Sequence, residues 1–517
     1  MASAPSASKA RAVAARLRPI VSARGQQQRV LQLTTMAFFL SFVVWFNFAP
    51  FSVAIGKDLH LTPAQLGVIG LCNLALTIPA RVFVGRLLDR IGPRRLYGAL
   101  LLFAVVPNTV FAMAHSFTVL VLARLALGLV GAGFVVGIRM VSEWFDHEEM
   151  GTVEGFYGGW GNFGSAAAAL GLPQLAILVA GGPHAWRWGI GISGVVAALY
   201  GLVYLFAVED TPPGKTYLKA RRPGALEVTS RASVWALVGL QLPIPATLAL
   251  VAWRVERVHV LSRGGLVGVC VALVVFGGYL VTSTLRANRA ALAEEHAPEE
   301  RYAFASVLIL SLAYFVTFGA ELTVVSLLPT FFATTFALKI TAAGAAGSAF
   351  AFTNLVTRPG GGIASDVAAS RRRVLVVLLA GSAVTFAAMS RMTGAWPLGL
   401  GVALVALASV FVQGGNGAVF AMVPLVKRRV SGQIAGIAGS YGNIGGVLFS
   451  SLLFFTIDKQ HPIGNTRLLF LVIAAAAAVV AILCRWLPEP VAPLDDADAD
   501  AELDAMLETV VLEVDPA

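Results

Sequence analysis

The sequence predicts an all-α polytopic membrane protein, built from two pseudo-symmetric six-helix halves with two extra helices between them. Three observations carry this. Of the 517 residues, 57% are hydrophobic and only 13% charged, with a mean hydropathy of +0.78; a soluble domain carries about 25% charged residues. The apolar residues fall in blocks of the roughly 20 residues that cross a bilayer, not in the short alternating segments of an outer-membrane barrel. Two motifs recur at nearly one offset and in the same order. A soluble enzyme and extended disorder are excluded.

Residues 1–30 hold Lys9, Arg11, Arg16, Arg18, Arg24 and Arg29 and no acid. They read as a basic cytoplasmic tail, not an organelle transit peptide, because basic loops and tails fix the orientation of a polytopic protein. The first half, 31–208, has spans near 33–55, 64–84, 96–114, 117–137, 153–178 and 188–208. A linker, 209–301, contains two further apolar segments, 233–253 and 264–284. The second half, 302–490, has spans near 303–331, 342–362, 374–392, 397–424, 434–455 and 468–487. An even insertion leaves both termini on one side, and the basic loops put that side in the cytoplasm. The loop with Arg254, Arg257 and Arg263 fits this assignment less well. The tail, 491–517, holds nine acids and no base. It reads as a solvated cytoplasmic extension; regulatory docking at its amphipathic stretch, 503–514, is the alternative. With the charge confined to loops and tails, the net charge of +10 does not point to nucleic acid. Cys72, Cys270 and Cys484 lie in apolar stretches and read as small packing residues.

The internal repeat points to a secondary transporter, with the substrate at the interface of the repeats near mid-membrane. In the second span Arg81, Gly85 and Asp89 are spaced by four; Arg358, Gly362 and Asp366 repeat this 277 residues later. In the fifth span of each half, Gly158-Gly159-Trp160-Gly161-Asn162 is matched by Gly439-Ser440-Tyr441-Gly442-Asn443, at an offset of 281. Glycines let helix backbones approach closely. They would bring backbone amides and the two asparagine side chains to a small ligand.

The loop from Gly85 through Asp89, Arg90 and Gly92 to Arg95 resembles the cytoplasmic loop motif of the major facilitator superfamily. Asp89 can pair with an arginine of a neighbouring helix and hold that side shut, so Gly85, Asp89, Arg90 and Asp366 form an expected cytoplasmic gate. The second copy has Val367 and Ala369 in place of Arg90 and Gly92, which predicts a weaker latch. The paired glycine-asparagine motifs resemble the nitrate signatures of the nitrate/nitrite porter family, a branch of that superfamily. Stretches such as FFLSFVVWFNFAPF and PLVKRRVSGQIAG are most similar to the cyanobacterial-type nitrate permeases.

Arginine in mid-span costs about 2.5–3.5 kcal/mol on insertion scales. Arg81 and Arg358 incur that cost at symmetric positions, which implies a shared task. A planar guanidinium with its fork of donors suits a planar oxyanion, and the family resemblance implies that these two arginines bind it. The same resemblance assigns Tyr314 to the anion and, more weakly, Phe48. The expected substrate site is therefore Arg81, Arg358, Asn162, Asn443, Tyr314, Gly161, Gly442 and Phe48.

The resemblance implies uptake of nitrate and nitrite across the plasma (inner) membrane by alternating access. The alternatives are transport of another small anion, or a membrane sensor that binds nitrate without moving it. No histidine lies in a predicted span and no phosphate-binding loop occurs, so the reading includes no enzyme activity, metal or cofactor. Two arginines facing one monovalent anion leave excess positive charge, and an emptied site would close reluctantly, favouring exchange. Net uptake needs a co-transported proton. Glu321, seven residues beyond Tyr314 on the same helix face, is the proton-coupling candidate, since a carboxylate within a span is a functional hypothesis by default.

Overall fold

The protein is described by a computed structural model covering residues 25–217, 225–293, 302–457 and 463–490. Most of the basic leader, and the acidic tail with its amphipathic stretch and the cytoplasmic regulator weighed for it, lie outside the described residues. Everything described is helix, turn or irregular chain, with no strand among the described residues. That is what a bilayer demands, since an open sheet edge there would leave backbone groups unsatisfied.

The first half comprises α1 (Gly25–Phe46), α2 (Pro63–Ile91), α3 (Pro93–Ala112), α4 (Phe117–Leu127), α5 (Gly133–Trp144), α6 (Met150–Asn162), α7 (Gly164–Val179) and α8 (Ala185–Ala207). A 3-10 turn, Gly128–Ala132, joins α4 to α5. The inserted segment contains α9 (Arg231–Gln241), α10 (Pro243–Arg257) and α11 (Arg263–Ala287). The second half comprises α12 (Phe304–Thr335), α13 (Ile340–Phe352), α14 (Asn354–Val367), α15 (Arg371–Met389), α16 (Leu398–Phe420), α17 (Ser431–Phe455) and α18 (Thr466–Leu483). Thirteen helical rods among the described residues are long and apolar enough to cross a membrane. The span expected over 342–362 is not one of them; there the chain turns at Thr353 between α13 and α14. The Gln413 side-chain amide donates to the carbonyl of Phe350 at 2.5 Å, the acceptor that the amide of Asn354 would use in an unbroken helix.

Helix starts are chemically marked. Thr62 and Gln65 form a capping box ahead of Pro63 at the start of α2. The same helix stops at Gly92, whose φ of +85° suits glycine alone.

The two halves meet chiefly along two crossed pairs, α2 with α17 and α14 with α6. Both are lined by glycine. A Cβ on Gly85 would collide with the backbone of Gly432, and one on Gly362 with the backbone of Gly151. The inserted helices lie outside this seam. α10 packs on both α2 and α17, and Tyr441 of α17 donates its hydroxyl to the carbonyl of Leu240 at 2.7 Å. In α11 only Leu280 and Thr284 are buried, so its apolar surface otherwise faces outward, as a lipid-facing helix does.

Candidate substrate site

Arg81 of α2 and Arg358 of α14 are 0% and 1% exposed. Their guanidinium carbons stand 5.3 and 5.2 Å from the centroid of a single ring, Phe134 of α5. Arginines from opposite halves thus converge on one aromatic ring, a favourable cation–π arrangement in a desolvated place. Arg81 donates from Nε to the carbonyl of Gly131 (3.2 Å) and from Nη1 to that of Gly439 (2.7 Å). Its Nη2, and all three nitrogens of Arg358, have no hydrogen-bond acceptor among the described residues. A buried charged donor without an acceptor is costly, so these N–H groups form a ready anion-binding set.

The walls are aromatic. Tyr314 of α12 stacks on Phe318 at 4.8 Å and on Phe134 at 6.2 Å, and meets Phe420 edge-on at 4.7 Å. It interacts with both guanidinium groups. Tyr157 of α6 stacks on Phe134 at 6.0 Å.

The fifth-helix motifs act across the seam. A Cβ on Gly158 would lie 2.5 Å from Nε of Arg358, and one on Gly439 would lie 3.1 Å from Cδ of Arg81. Each arginine therefore rests on a glycine of the opposite half. On their Cβ side, the glycines expected to touch substrate meet aromatic rings. Gly161 makes room for the ring of Phe38, and Gly442 for the rings of Tyr314 and Phe318. Neither is placed against an arginine.

The asparagines differ. Asn162 is 3% exposed, and neither its amide nitrogen nor its oxygen has a partner among the described residues. It lines a small cavity of about 20 Å³, room for little more than a water, with Phe46, Phe318, Glu321, Leu322 and Asn354, among others. Asn443 turns its amide back onto the carbonyl of Gly439 at 3.1 Å, leaving its oxygen unpartnered. Glu321 is 6% exposed. Its two oxygens accept from Asn354 (2.5 Å) and Asn416 (2.6 Å). Phe48 is not brought to the arginines; it packs against Arg124 at 5.6 Å and Phe111 at 6.1 Å.

The gate expectation needs two corrections. Asp89 accepts from the backbone N–H of Gln433 at 3.1 Å, at the start of α17. Asp366 accepts from the backbone N–H groups of Gly151 (2.9 Å) and Thr152 (2.6 Å) and from the Thr152 hydroxyl (2.8 Å), at the start of α6. Both carboxylates thus cap a helix of the opposite half, where the dipole favours an anion. Asp366 adds an ion pair with Arg371 at 2.9 Å, and Asp89 has Arg139 of α5 within electrostatic reach, so the second latch carries more hydrogen bonds, not fewer. Arg90 is exposed and stands apart from both caps. The carboxylates meet helix N-termini, with Arg139 and Arg371 beside them, and not the residues missing from the second loop.

Sequence reasoning overlooked Phe134, Asn354 and Asn416. Phe134 is the lone aromatic in a run of small residues, Gly131-Ala132-Gly133, and the asparagines are polar residues inside spans. Those were the available signals.

Fold and site together define a two-halved membrane transporter with an anion-suited centre. The sequence pattern of the Major Facilitator Superfamily matches residues 34–309 and 310–511, and the chain belongs to that superfamily, as a transporter and not an enzyme. It is 45% identical to the nitrate/nitrite transporter NrtP of Picosynechococcus over 89% of its length and 93% of that protein's. It is 43% identical to NrtP of Nostoc punctiforme, covering 89% and 92%, and 26% identical to nitrate transporter 2.2 of Chlamydomonas reinhardtii, covering 88% and 79%. Among solved structures, the proton:xylose symporter XylE superposes with a TM-score of 0.61 at 13% identity, over 89% of this chain and 96% of that one. The human organic anion transporter MFSD10 gives 0.60 at 13%, over 89% and 100%. At that identity these two speak for the fold alone.

Proposed function

We propose that this chain carries nitrate and nitrite across the plasma (inner) membrane by alternating access, with both termini in the cytoplasm. The observation that carries this is the pair of buried arginines, one from each half, set over the same Phe134 ring with unpartnered N–H donors. A small planar oxyanion is the ligand such a pair suits, and the NrtP relatives are nitrate/nitrite transporters. The anion is held by Arg81 and Arg358 beside Tyr314, with Asn162 on the approach from the cavity and Asn443 close behind Gly439. The Asp89 and Asp366 caps close the end that bears the basic loops. Rocking of the halves breaks those caps and opens the site to that side.

Glu321 is the proton-coupling group of this reading. It lies on the same helix as Tyr314, buried, and borders the cavity that Asn162 lines. The test is transport by the purified protein in liposomes, with internal nitrite and the proton gradient varied independently. Labelled nitrate should accumulate in both regimes. Glu321→Gln should depress proton-driven net uptake more than nitrate/nitrite counterflow. Nitrate binding without flux in either regime would return the protein to the sensor reading, and equal effects on the two modes would remove Glu321 from coupling.

A further inference from the structure

Glu154 of α6 is 1% exposed, and neither carboxyl oxygen has a hydrogen-bond partner among the described residues. It lies one helical turn before Gly158, on the same face, and Gly158 is the residue packed against the Arg358 guanidinium. Arg358 and Glu154 interact electrostatically. The repeat breaks here: Gly158, Gly161 and Asn162 recur as Gly439, Gly442 and Asn443, but the position equivalent to Glu154 is Ala435. No packing requirement shared by the halves accounts for the carboxyl.

The surroundings leave Glu154 few partners. Of the helices packed on α6, α14 contributes Arg358 in the middle and Asp366 at one end, and Asp366 is already engaged by Gly151, Thr152 and Arg371. α5 carries Arg139 and Glu143, which pair with each other at 2.7 Å. α1 carries only Arg29, near its start, and α7 and α16 carry no charged residue. On α6 itself Tyr157 is nearby, its hydroxyl directed to the carbonyl of Phe134 at 3.0 Å. The preceding turn, His147–Glu149, lies at the basic-loop end of α6.

We propose that Glu154 is a second proton-binding site, at which its carboxylate and the transported anion compete for the Arg358 guanidinium. An ionised carboxyl without donors in a dry interior needs either a counter-cation or a proton. With the site empty, Arg358 serves as the counter-cation. When the oxyanion occupies the Arg358 fork, that compensation is withdrawn and Glu154 takes a proton from the connected aqueous side. When the proton leaves on the other side, the carboxylate reclaims Arg358 and loosens the anion. Two arginines thus face two carboxyls, Glu154 and Glu321, and the excess positive charge that favoured pure exchange in the sequence reading is removed.

The inference rests on the nitrate reading above, and its test separates the two. Nitrate affinity of the purified full-length protein is measured by titration calorimetry from pH 6 to pH 8. Proton uptake per nitrate bound is read from buffers of different ionisation enthalpy. Linkage is reciprocal, so wild-type affinity should fall as pH rises, by at most about tenfold per unit for one coupled proton. Glu154→Gln, which mimics the protonated group, should flatten that slope to less than about twofold per unit and bind more tightly than wild type at pH 8. Glu154→Asp should keep the slope, and proton uptake should persist in Glu321→Gln. A wild-type slope in Glu154→Gln, or uptake that disappears in Glu321→Gln and persists in Glu154→Gln, would overturn the proposal. If Glu154→Gln fails to fold, loss of the slope in Glu154→Asp or absence of proton uptake by Glu321→Gln overturns it equally. A wild-type protein that binds no nitrate at any pH would instead sink the substrate assignment.

Discussion

In the first half, Trp45 of α1 donates its indole N–H to the hydroxyl of Thr77 on α2, at 3.2 Å. At offsets of 276 and 277, the second half has Glu321 on α12 accepting from Asn354 at the head of α14. The same helix pair is bridged at the same level, once by an indole and once by a carboxylate. Arg94 and Arg371, also 277 apart, diverge likewise. Arg94 turns its guanidinium to the carbonyl of Leu205 at 2.6 Å and its backbone N–H to Asp210 at 2.7 Å, while Arg371 pairs with Asp366. Asp210 lies outside the spans, and burial lifts its carboxyl above the usual range despite that hydrogen bond. What stays equal between the halves is the small-residue contact, Gly158 on Arg358 and Gly439 on Arg81. Duplication preserved the scaffold where backbones must touch, and polarity diverged where a single charge is wanted.

The largest effect should come from the element the halves share. Arg81→Lys and Arg358→Lys should each cut labelled-nitrate uptake more than about tenfold with expression intact. The bidentate fork is lost, and a hydrogen bond to a charged group is worth about 1.5–3 kcal/mol. Near-wild-type uptake by both would remove the paired-arginine site; survival of one alone would make the site one-sided.

A smaller and unequal effect is expected at the asparagines. Asn162→Ala should weaken nitrate binding by about tenfold, within the range of one charge-assisted hydrogen bond. Asn443→Ala should weaken it less, because its amide is already committed to Gly439. Equal losses in a binding titration would show that the halves contribute alike; no loss in either would return both residues to packing.

The smallest effect on transport, but a measurable one on stability, is expected at the helix caps. Asp366→Asn should destabilise the purified protein by about 1–3 kcal/mol, since it breaks a buried charge-assisted network. Asp89→Asn should cost less, because Asp89 accepts one hydrogen bond, from Gln433, where Asp366 accepts three. Thermal melts in detergent that rank the two in the opposite order would refute the asymmetry of the latch.

Much of this was legible in the chain. Span lengths and hydropathy dictate transmembrane helices because the bilayer leaves the backbone no other partner. The two offsets, 277 and 281, reveal the duplication, and arginine in an apolar span marks a site because the cost needs a reason. The burial and proximity of Arg81, Arg358 and Tyr314 follow that pattern. What only the tertiary structure decided is who faces whom. Gly161 and Gly442 lie within one turn of Gly158 and Gly439, yet the rotation of α6 and α17 turns one pair to aromatic rings and the other to arginines. Asp89 and Asp366 reach helix N-termini more than 200 residues away in sequence, a pairing no local pattern encodes. Phe48 and Arg90 carry the right chemistry and lie apart from the groups they were expected to join. Composition and period fix which residues enter the membrane; the crossing of α2 with α17 and of α14 with α6 fixes which of them meet, because a side chain's partners depend on the relative rotation and depth of two helices.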